Sequence, residues 1–300
     1  MDIEKKLLFS LPDFYYNFNL YNILLDIMEK EPDLFYKDIK IDTIYGCFPG
    51  AIWNGGRGTI GGTTGKNIRD TIKFFNDKGI ALRMTFTNPL ISRIHIQDTY
   101  CNSILEILAD VGSSTGVVNS ANANSEILFE YIDKAYSGVI EPVWSTTKAI
   151  DDLDLFNKLS EKNITVAHYG WNEKILEMDI QHPENVELLC NEACVPNCPN
   201  RKDHYLSIAA QQIGAIVEDG FRCPYGCENY YYYDMPVKRP HYISPEATRT
   251  TFPEKGFRMF KLSGRNDNAI NVIENLSRYL SADGCVDNVR NKLLISNFCR

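Results

Sequence analysis

The amino-acid sequence predicts an α/β protein, a single TIM-like (β/α)8 barrel over residues 1–300 with a cysteine-rich loop insert at about 190–240. Three observations predict it. The chain has 300 residues, and closed α/β barrels need about 250 in one unit. Eight short β-rich runs alternate with segments of helical period, the pattern of a parallel sheet, and eight strands close a barrel. The segments that follow the strands are rich in Asn, aromatics, Arg and Cys, whereas those that follow the helices are short and plain. A doubly wound open sheet is the alternative arrangement of the same elements.

The strands are expected, in order, in "KKLLFSL", "IKIDTIY", "IALRMTF", "GVVN", "GVIEP", "ITVAHY", "VELLC" and "FRMFKL". Among the helices, "NIRDTIKFFNDKG" places Ile68, Ile72 and Phe75 on one face and stops at Gly79. "SEILFEYIDKAY" and "DDLDLFNKLSEKN" read the same way, and "LSIAAQQIGAIV" is helical between two groups of cysteines. "NAINVIENLSRYL" aligns Ala269, Val272, Ile273, Leu276 and Leu280 on one stripe. In a barrel the strand C-termini share one face, and that face holds the active site. The segments "GCFPGAIWNGGRGTIGG", "TNPLIS", "NSANANS", "PVWSTT", "NEACVPNCPNR" and "SGRND" are therefore expected to converge.

Composition excludes several classes. With 44% hydrophobic and 23% charged residues the chain is neither disordered nor fibrous. No run approaches the roughly 18 apolar residues that span a bilayer, so no membrane segment is expected. The start, "MDIEKKLLFSLPDF", has too short an apolar stretch for a signal peptide, and acidic residues precede it. A cytoplasmic location follows as the expectation, in which the nine cysteines stay reduced. The net charge of −8 gives no broad attraction to nucleic acid, although "NRKDH" and "PVKRPH" could form a local basic patch.

Five of those cysteines are close together. Cys190, Cys194 and Cys198 sit in "CNEACVPNCPNRKDHY", and Cys223 and Cys227 bracket a turn in "CPYGC". Helical spacing would align the first three, but Pro196 and Pro199 break such a helix, so a loop is expected. Two turns can then offer thiolates to one centre. Zinc takes four thiolates from pairs at such spacings. An iron–sulfur cluster is equally served and tolerates varied spacing. Buried, inert thiols are the plain alternative.

"NEACVPNCPNRKDHY", a later cysteine and "YISPEATRTTFPEKGFRMFKLSGR" together resemble the collagenase-like peptidase family, peptidase family U32. The shared motifs are N-E-x-C-x3-C-P, I-x-P-E and a terminal F-K-x-x-G-R strand, over residues 186–265; the N-terminal half agrees only in its barrel pattern. The resemblance implies a TIM-like barrel with an oxygen-sensitive 4Fe–4S cluster. Relatives include oxygen-independent hydroxylases of tRNA bases, rRNA bases or a ubiquinone precursor, some linked to prephenate as the oxygen source. This chain lacks their longer C-x6-C and C-R elements and the C-terminal domains of larger members, so substrate and reaction do not carry over. The implied ligands are Cys194, Cys198 and Cys223, with Cys227 or Cys190 as the fourth.

The remaining candidates are weighed singly. "GGRGTIGGTTGKN" is not a phosphate loop, because Ile60 stands where the first Gly belongs and Asn67 follows Lys66. A lid or a close backbone approach over the mouth suits it better, with Arg57 placed to meet an anionic substrate. Lys261 and Arg265 flank the end of the last strand, where barrels bind anions. His204 follows the cysteine loop and could transfer a proton or simply start a helix. His168 ends a strand and should point near the mouth. Glu246 reads as a helix-start acid. Asn119, Asn122 and Asn124 suit a polar ring, and "YYYYD" suits rim packing better than base stacking.

The leading expectation is an iron–sulfur enzyme acting on a small-molecule or nucleobase-like substrate, with Arg265, His204, Lys261 and Arg57 as catalytic candidates. Cys194, Cys198, Cys223 and Cys227 are its cluster-ligand candidates. A peptidase with a peptide substrate and a non-catalytic binding protein with structural zinc are the alternatives. No G-x-S-x-G or H-E-x-x-H motif is present to support proteolysis.

Overall fold

Eight parallel strands close into a barrel in sequence order, β1 to β8, with β8 returning to pair with β1. The structure is a computed structural model and describes residues 6–195, 198–214, 221–224, 234–265 and 268–298. The first half runs β1 (Leu7–Pro12), α1 (Phe18–Lys30), β2 (Ile39–Gly46), α2 (Gly65–Asn76), β3 (Ala81–Phe86), α3 (Thr99–Thr115), β4 (Asn119–Ala123) and α4 (Glu126–Ala135). It continues with β5 (Ile140–Trp144), α5 (Leu153–Ser160), β6 (Thr165–Val166) and β7 (Val186–Leu189). Then follow α6 (Arg201–Gln212), short α7 (Asp234–Val237), α8 (Pro245–Arg249) and α9 (Thr251–Glu254). The chain closes with β8 (Met259–Lys261), α10 (Ala269–Leu280) and α11 (Val286–Phe298). The expected TIM-like barrel is the one formed.

Local signals explain the helix limits. The Thr64 hydroxyl accepts from the Asn67 amide at the start of α2, whose Ile68, Ile72 and Phe75 are buried, and Gly79 turns the chain at φ +71°. Asp98 caps α3 through the Cys101 amide, and Gly116 ends it in the left-handed region. Asn268 caps α10, which buries Val272, Ile273, Leu276 and Leu280 against the barrel wall.

Two strands differ from expectation. β4 begins at Asn119, the last residue of "GVVN", because Gly116 is consumed as the cap of α3 and "NSANA" forms the strand. β5 likewise runs on through "PVW". Asn119 is consequently no part of a polar ring at the mouth. It lies at the strand's N-terminal end, where it exchanges hydrogen bonds with Asn76 and accepts from the Leu82 amide at 2.8 Å. It joins α2 to β3.

The barrel interior is unusual in its polarity. Glu187 on β7 accepts two hydrogen bonds from Arg83 Nη1 on β3, at 2.8 and 2.9 Å, and one from Ser10 Oγ on β1 at 2.5 Å. Arg83 Nε also donates to Ser120 Oγ on β4 at 3.0 Å. Arg83 of β3, Glu187 of β7, Ser10 of β1 and Ser120 of β4 thus form a polar layer where barrels usually stack branched aliphatics. Burial opposes ionisation of Glu187, but Arg83 and Lys261 outweigh it and hold the carboxyl below its usual range. The even strands place Tyr45, Asn122 and Lys261 at the mouth.

Removing one partner of a buried ion pair strands the other in a low-dielectric interior. Arg83→Met should therefore destabilise the protein by about 3–5 kcal/mol, and Ser10→Ala by about 1 kcal/mol. Urea unfolding measures both. A loss below about 1 kcal/mol for Arg83→Met would contradict the view that Glu187 depends on that partner.

Candidate functional site at the barrel mouth

The strand C-termini open into a cavity of about 180 Å³. Its described lining carries the cations Arg57, Arg201, Arg239, Lys261 and Arg265 and one carboxylate, Glu192. All four candidates named from sequence as catalytic, Arg57, His204, Lys261 and Arg265, line it.

Lys261 is nearly fully buried at the end of β8. Its Nζ lies 3.6 Å from Glu187 Oε2 and 3.8 Å from the centre of the Tyr45 ring. Burial pushes the ammonium down to about 8, against the attraction of Glu187 and with repulsion from Arg83 and Arg265. Arg265 is fixed by acceptors on the β2 loop and β3: Nη1 donates to Asn54 Oδ1 at 3.0 Å and to Thr85 Oγ1, and Nη2 to the Gly55 carbonyl. Burial lowers its pKa too.

The glycine-rich segment does come over the mouth by close backbone approach. A Cβ on Gly55 would stand 2.4 Å from the Thr87 carbonyl carbon, so no side chain fits there. Asn54, fully buried, donates to the Arg57 carbonyl at 2.7 Å and to Thr59 Oγ1 at 3.1 Å. Gln212 of α6 clamps the same loop, accepting from the Thr59 amide and donating to the Ala51 and Thr59 carbonyls.

The cysteine segment is a loop, as its prolines require, and is held from several sides. Asn191 exchanges hydrogen bonds with Ser263, which ties the β7 end to the β8 end. Glu192 Oε1 accepts from the Cys194 amide at 3.0 Å, and Arg201 Nη2 pairs with Glu192 Oε2 at 3.3 Å. Burial opposes ionisation of Glu192, but Arg201 and Arg57 keep its carboxyl below the usual range. Tyr169 and Arg239 bind the Val195 and Ala193 carbonyls at 2.9 Å each. The Arg201 guanidinium sits between the Tyr169 and Tyr205 rings, 4.2 and 4.9 Å from their centres.

Cys194 and Cys223 both line the cavity; Cys198 does not line it and is partly exposed in the same loop as Cys194. Burial raises the Cys194 thiol, Arg201 opposes this, and Glu192 and Cys198 add to it. Cys227 lies outside the described residues. Cys190 points into the hydrophobic core, fully buried, with its Sγ against the Leu188 carbonyl. The donor types fit a thiolate-held centre. Among the described residues, no three His, Cys, Asp or Glu side chains stand together as a metal-holding group.

Other candidates separate. His204 opens α6 and stacks on Phe221 at 4.8 Å, and burial, then Arg57 and Arg201, lower its pKa. His168 does not line the described cavity; it caps a 3-10 turn by accepting from the Gly170 amide. Asn122 lines the cavity, whereas Asn124 donates to Thr147 Oγ1. Glu246 sits in the first turn of α8, which Ser244 caps, the place of a helix-start acid. The Tyr230 to Tyr233 run lies outside the described residues. Glu187, Arg83, Glu192, Arg201 and Asn54 were not singled out from sequence. The available signal was a charge inside an apolar strand, in "ALRMTF" and "VELLC".

Burial, then the Arg201 charge, pushes the His168 imidazolium down to about 4 from an ordinary 6.5. The unfolded chain therefore takes up this proton first as pH falls, and stability drops between pH 6.5 and 4. His168→Asn, which keeps a capping acceptor, should flatten that part of the profile. Denaturation midpoints at stepped pH check it, and an unchanged slope would contradict the assignment.

No protein-family model matches the sequence, and no curated protein matches it. A solved structure, that of the U32 peptidase Mk0906, is similar in chain path. It is 12% identical, with 88% of this chain and 94% of that chain covered at a TM-score of 0.49.

Proposed function

We propose that the protein is a redox enzyme whose barrel mouth holds an iron–sulfur cluster on Cys194, Cys198, Cys223 and Cys227 beside a cationic substrate cavity. One observation carries the reading: Cys194 and Cys223, from two separate segments, line the same cavity as Lys261 and Arg265. Soft thiolates select iron–sulfur clusters or zinc, and the motif resemblance favours the cluster. The substrate on this reading is small or nucleobase-like, and the reaction class is oxygen-independent hydroxylation or a related modification.

When bound, such a cluster supplies one-electron chemistry at the cavity wall. The chain's own residues do the rest. Lys261 and Arg265 attract and orient an anionic or electron-rich ligand. His204, held neutral near pH 7 by burial and two arginines, accepts a proton at a ring nitrogen. The clamped loop over the mouth limits water.

Anaerobic purification tests the reading directly. A brown protein with broad absorption near roughly 400 nm and acid-labile sulfide is expected. Cys194→Ser, Cys198→Ser and Cys223→Ser should each lose most of the iron, because ligand sets act as a unit. Cys190→Ser and Cys285→Ser should keep it. A colourless zinc protein, or wild-type iron and sulfide in the Cys194, Cys198 and Cys223 variants alike, would overturn the cluster.

A further inference from the structure

We infer that α6 is a strap whose seating depends on the thiolate-held centre, and that Gln212 at its far end passes that seating to the glycine-rich loop on which Arg265 rests. The inference rests on the reading of Cys198 and Cys223 as ligands of one centre, and it adds control of the mouth by that centre's occupancy.

Packing carries the first part. α6 and α10 are both twelve residues long, yet α10 buries nine of its residues and α6 only Ala209. Leu206 and Ile208 of α6 are half-buried. Most helical stability in a protein comes from packing an apolar face, and α6 has almost none to pack. Its first turn also lacks a side-chain cap. The helix is held instead at separate points. Arg201 pairs with Glu192, and Asn88 donates to the Ala209 carbonyl at 3.1 Å.

Connectivity carries the second part. α6 is the element between the two cysteine segments. At its start the Arg201 amide donates to the Cys198 carbonyl at 3.2 Å. On its flank the Phe221 amide, two residues before Cys223, donates to Ser207 Oγ at 3.2 Å, and the Phe221 ring stacks on His204. Thiolates from both segments on one centre would close the chain around the helix. A centre that binds only this arrangement stabilises it in proportion to occupancy.

The far end carries the third. Gln212 Oε1 accepts from the Thr59 amide at 2.9 Å, and Nε2 donates to the Ala51 and Thr59 carbonyls at 3.1 Å each. Asn88 bonds the Ile52 carbonyl as well as that of Ala209, so the loop and the helix share it. Inside the loop Asn54 joins Thr59 to Arg265, donating to Thr59 Oγ1 at 3.1 Å and accepting from Arg265 Nη1 at 3.0 Å. A seated α6 thus orders the loop, and the ordered loop holds the Arg265 guanidinium in place. Release of α6 gives the Thr59 amide and the two carbonyls back to water.

Hydrogen exchange on the full chain tests the strap. The anaerobically purified holoprotein is compared with the same protein stripped of metal, and with stripped protein reloaded with zinc alone. Peptides over residues 51–62 and 201–212 should exchange at least about tenfold faster in the stripped protein, the scale set by losing one or two hydrogen bonds to local opening. Those over α3 and α10 should not change, and zinc should restore the slow exchange. Cys223→Ser should match the stripped wild type. Gln212→Ala should keep its metal and the metal-dependent protection of 201–212, while 51–62 exchanges fast in both states. Equal exchange over 51–62 in loaded and stripped wild type overturns the strap. So does a loss of protection that spreads over α3 and α10, because the centre would then hold the whole fold. Loop protection that survives in loaded Gln212→Ala overturns the assigned link. Iron, sulfide and zinc are measured in the same samples. Protection by zinc in a chain that takes up no iron–sulfur cluster sinks the cluster alone, and an iron–sulfur protein with unchanged loop exchange sinks the strap alone. A chain that holds neither metal overturns both.

Discussion

The Arg83–Glu187 contact at the barrel's centre is the constraint on which the mouth depends. Both side chains are buried, on β3 and β7, and neither has water to fall back on. Such a pair gains little net stability over a well-packed apolar layer, because desolvation consumes most of the Coulomb energy. What it does is fix geometry. A bidentate guanidinium–carboxylate contact sets the register of two strands that are not neighbours, and Ser10 and Ser120 extend it to β1 and β4. Since Glu187 is satisfied from below, Lys261 above it is left to present its charge to the cavity.

The mouth is assembled by loops that have been made stiff. The Gly55 backbone is packed so closely on Thr87 that the loop cannot carry a Cβ there. Asn54 and Gln212 then satisfy the loop's own carbonyls and amides, which is what allows irregular backbone to be buried. The same logic holds the cysteine loop, where Asn191, Glu192, Tyr169 and Arg239 each bond a main-chain group. Arg265 links the two sides, because its guanidinium is seated on the glycine-rich loop while its backbone follows β8. A site built in this way holds its cations in place before any ligand arrives, so little reorganisation is needed on binding.

The local electrostatics run against the global charge. A chain of net charge −8 repels anions at long range. Within its cavity the described cations outnumber the described carboxylates five to one. The excess acts over the few ångströms where screening is weak. Net charge therefore bears on broad partners such as nucleic acid and says little about what a small cavity prefers.

The sequence by itself determined the barrel and most of its element order. Alternating β-rich runs and helical periods are local properties, and capping residues such as Thr64, Asn268 and Gly79 mark the limits within the same few positions. It also brought Arg57, His204, Lys261, Arg265, Cys194 and Cys223 to one face, because a barrel turns every strand end the same way. Only the tertiary structure decided the remainder. Asn119 and Asn122 stand three residues apart in one strand; one bonds α2 and α3 outside the barrel and the other lines the cavity, a difference set by the alternation of side chains along a strand. Cys190 and Cys194 share a motif, yet one is core and one is cavity wall, because Cys190 directly follows β7 and its amide still bonds the Lys261 carbonyl, whereas Cys194 lies out in the loop. Glu187 and Arg83 are 104 positions apart, and their pairing exists only once the sheet has closed. No local pattern carries a contact of that kind, since what fixes it is the three-dimensional neighbour and the loss of water around both charges.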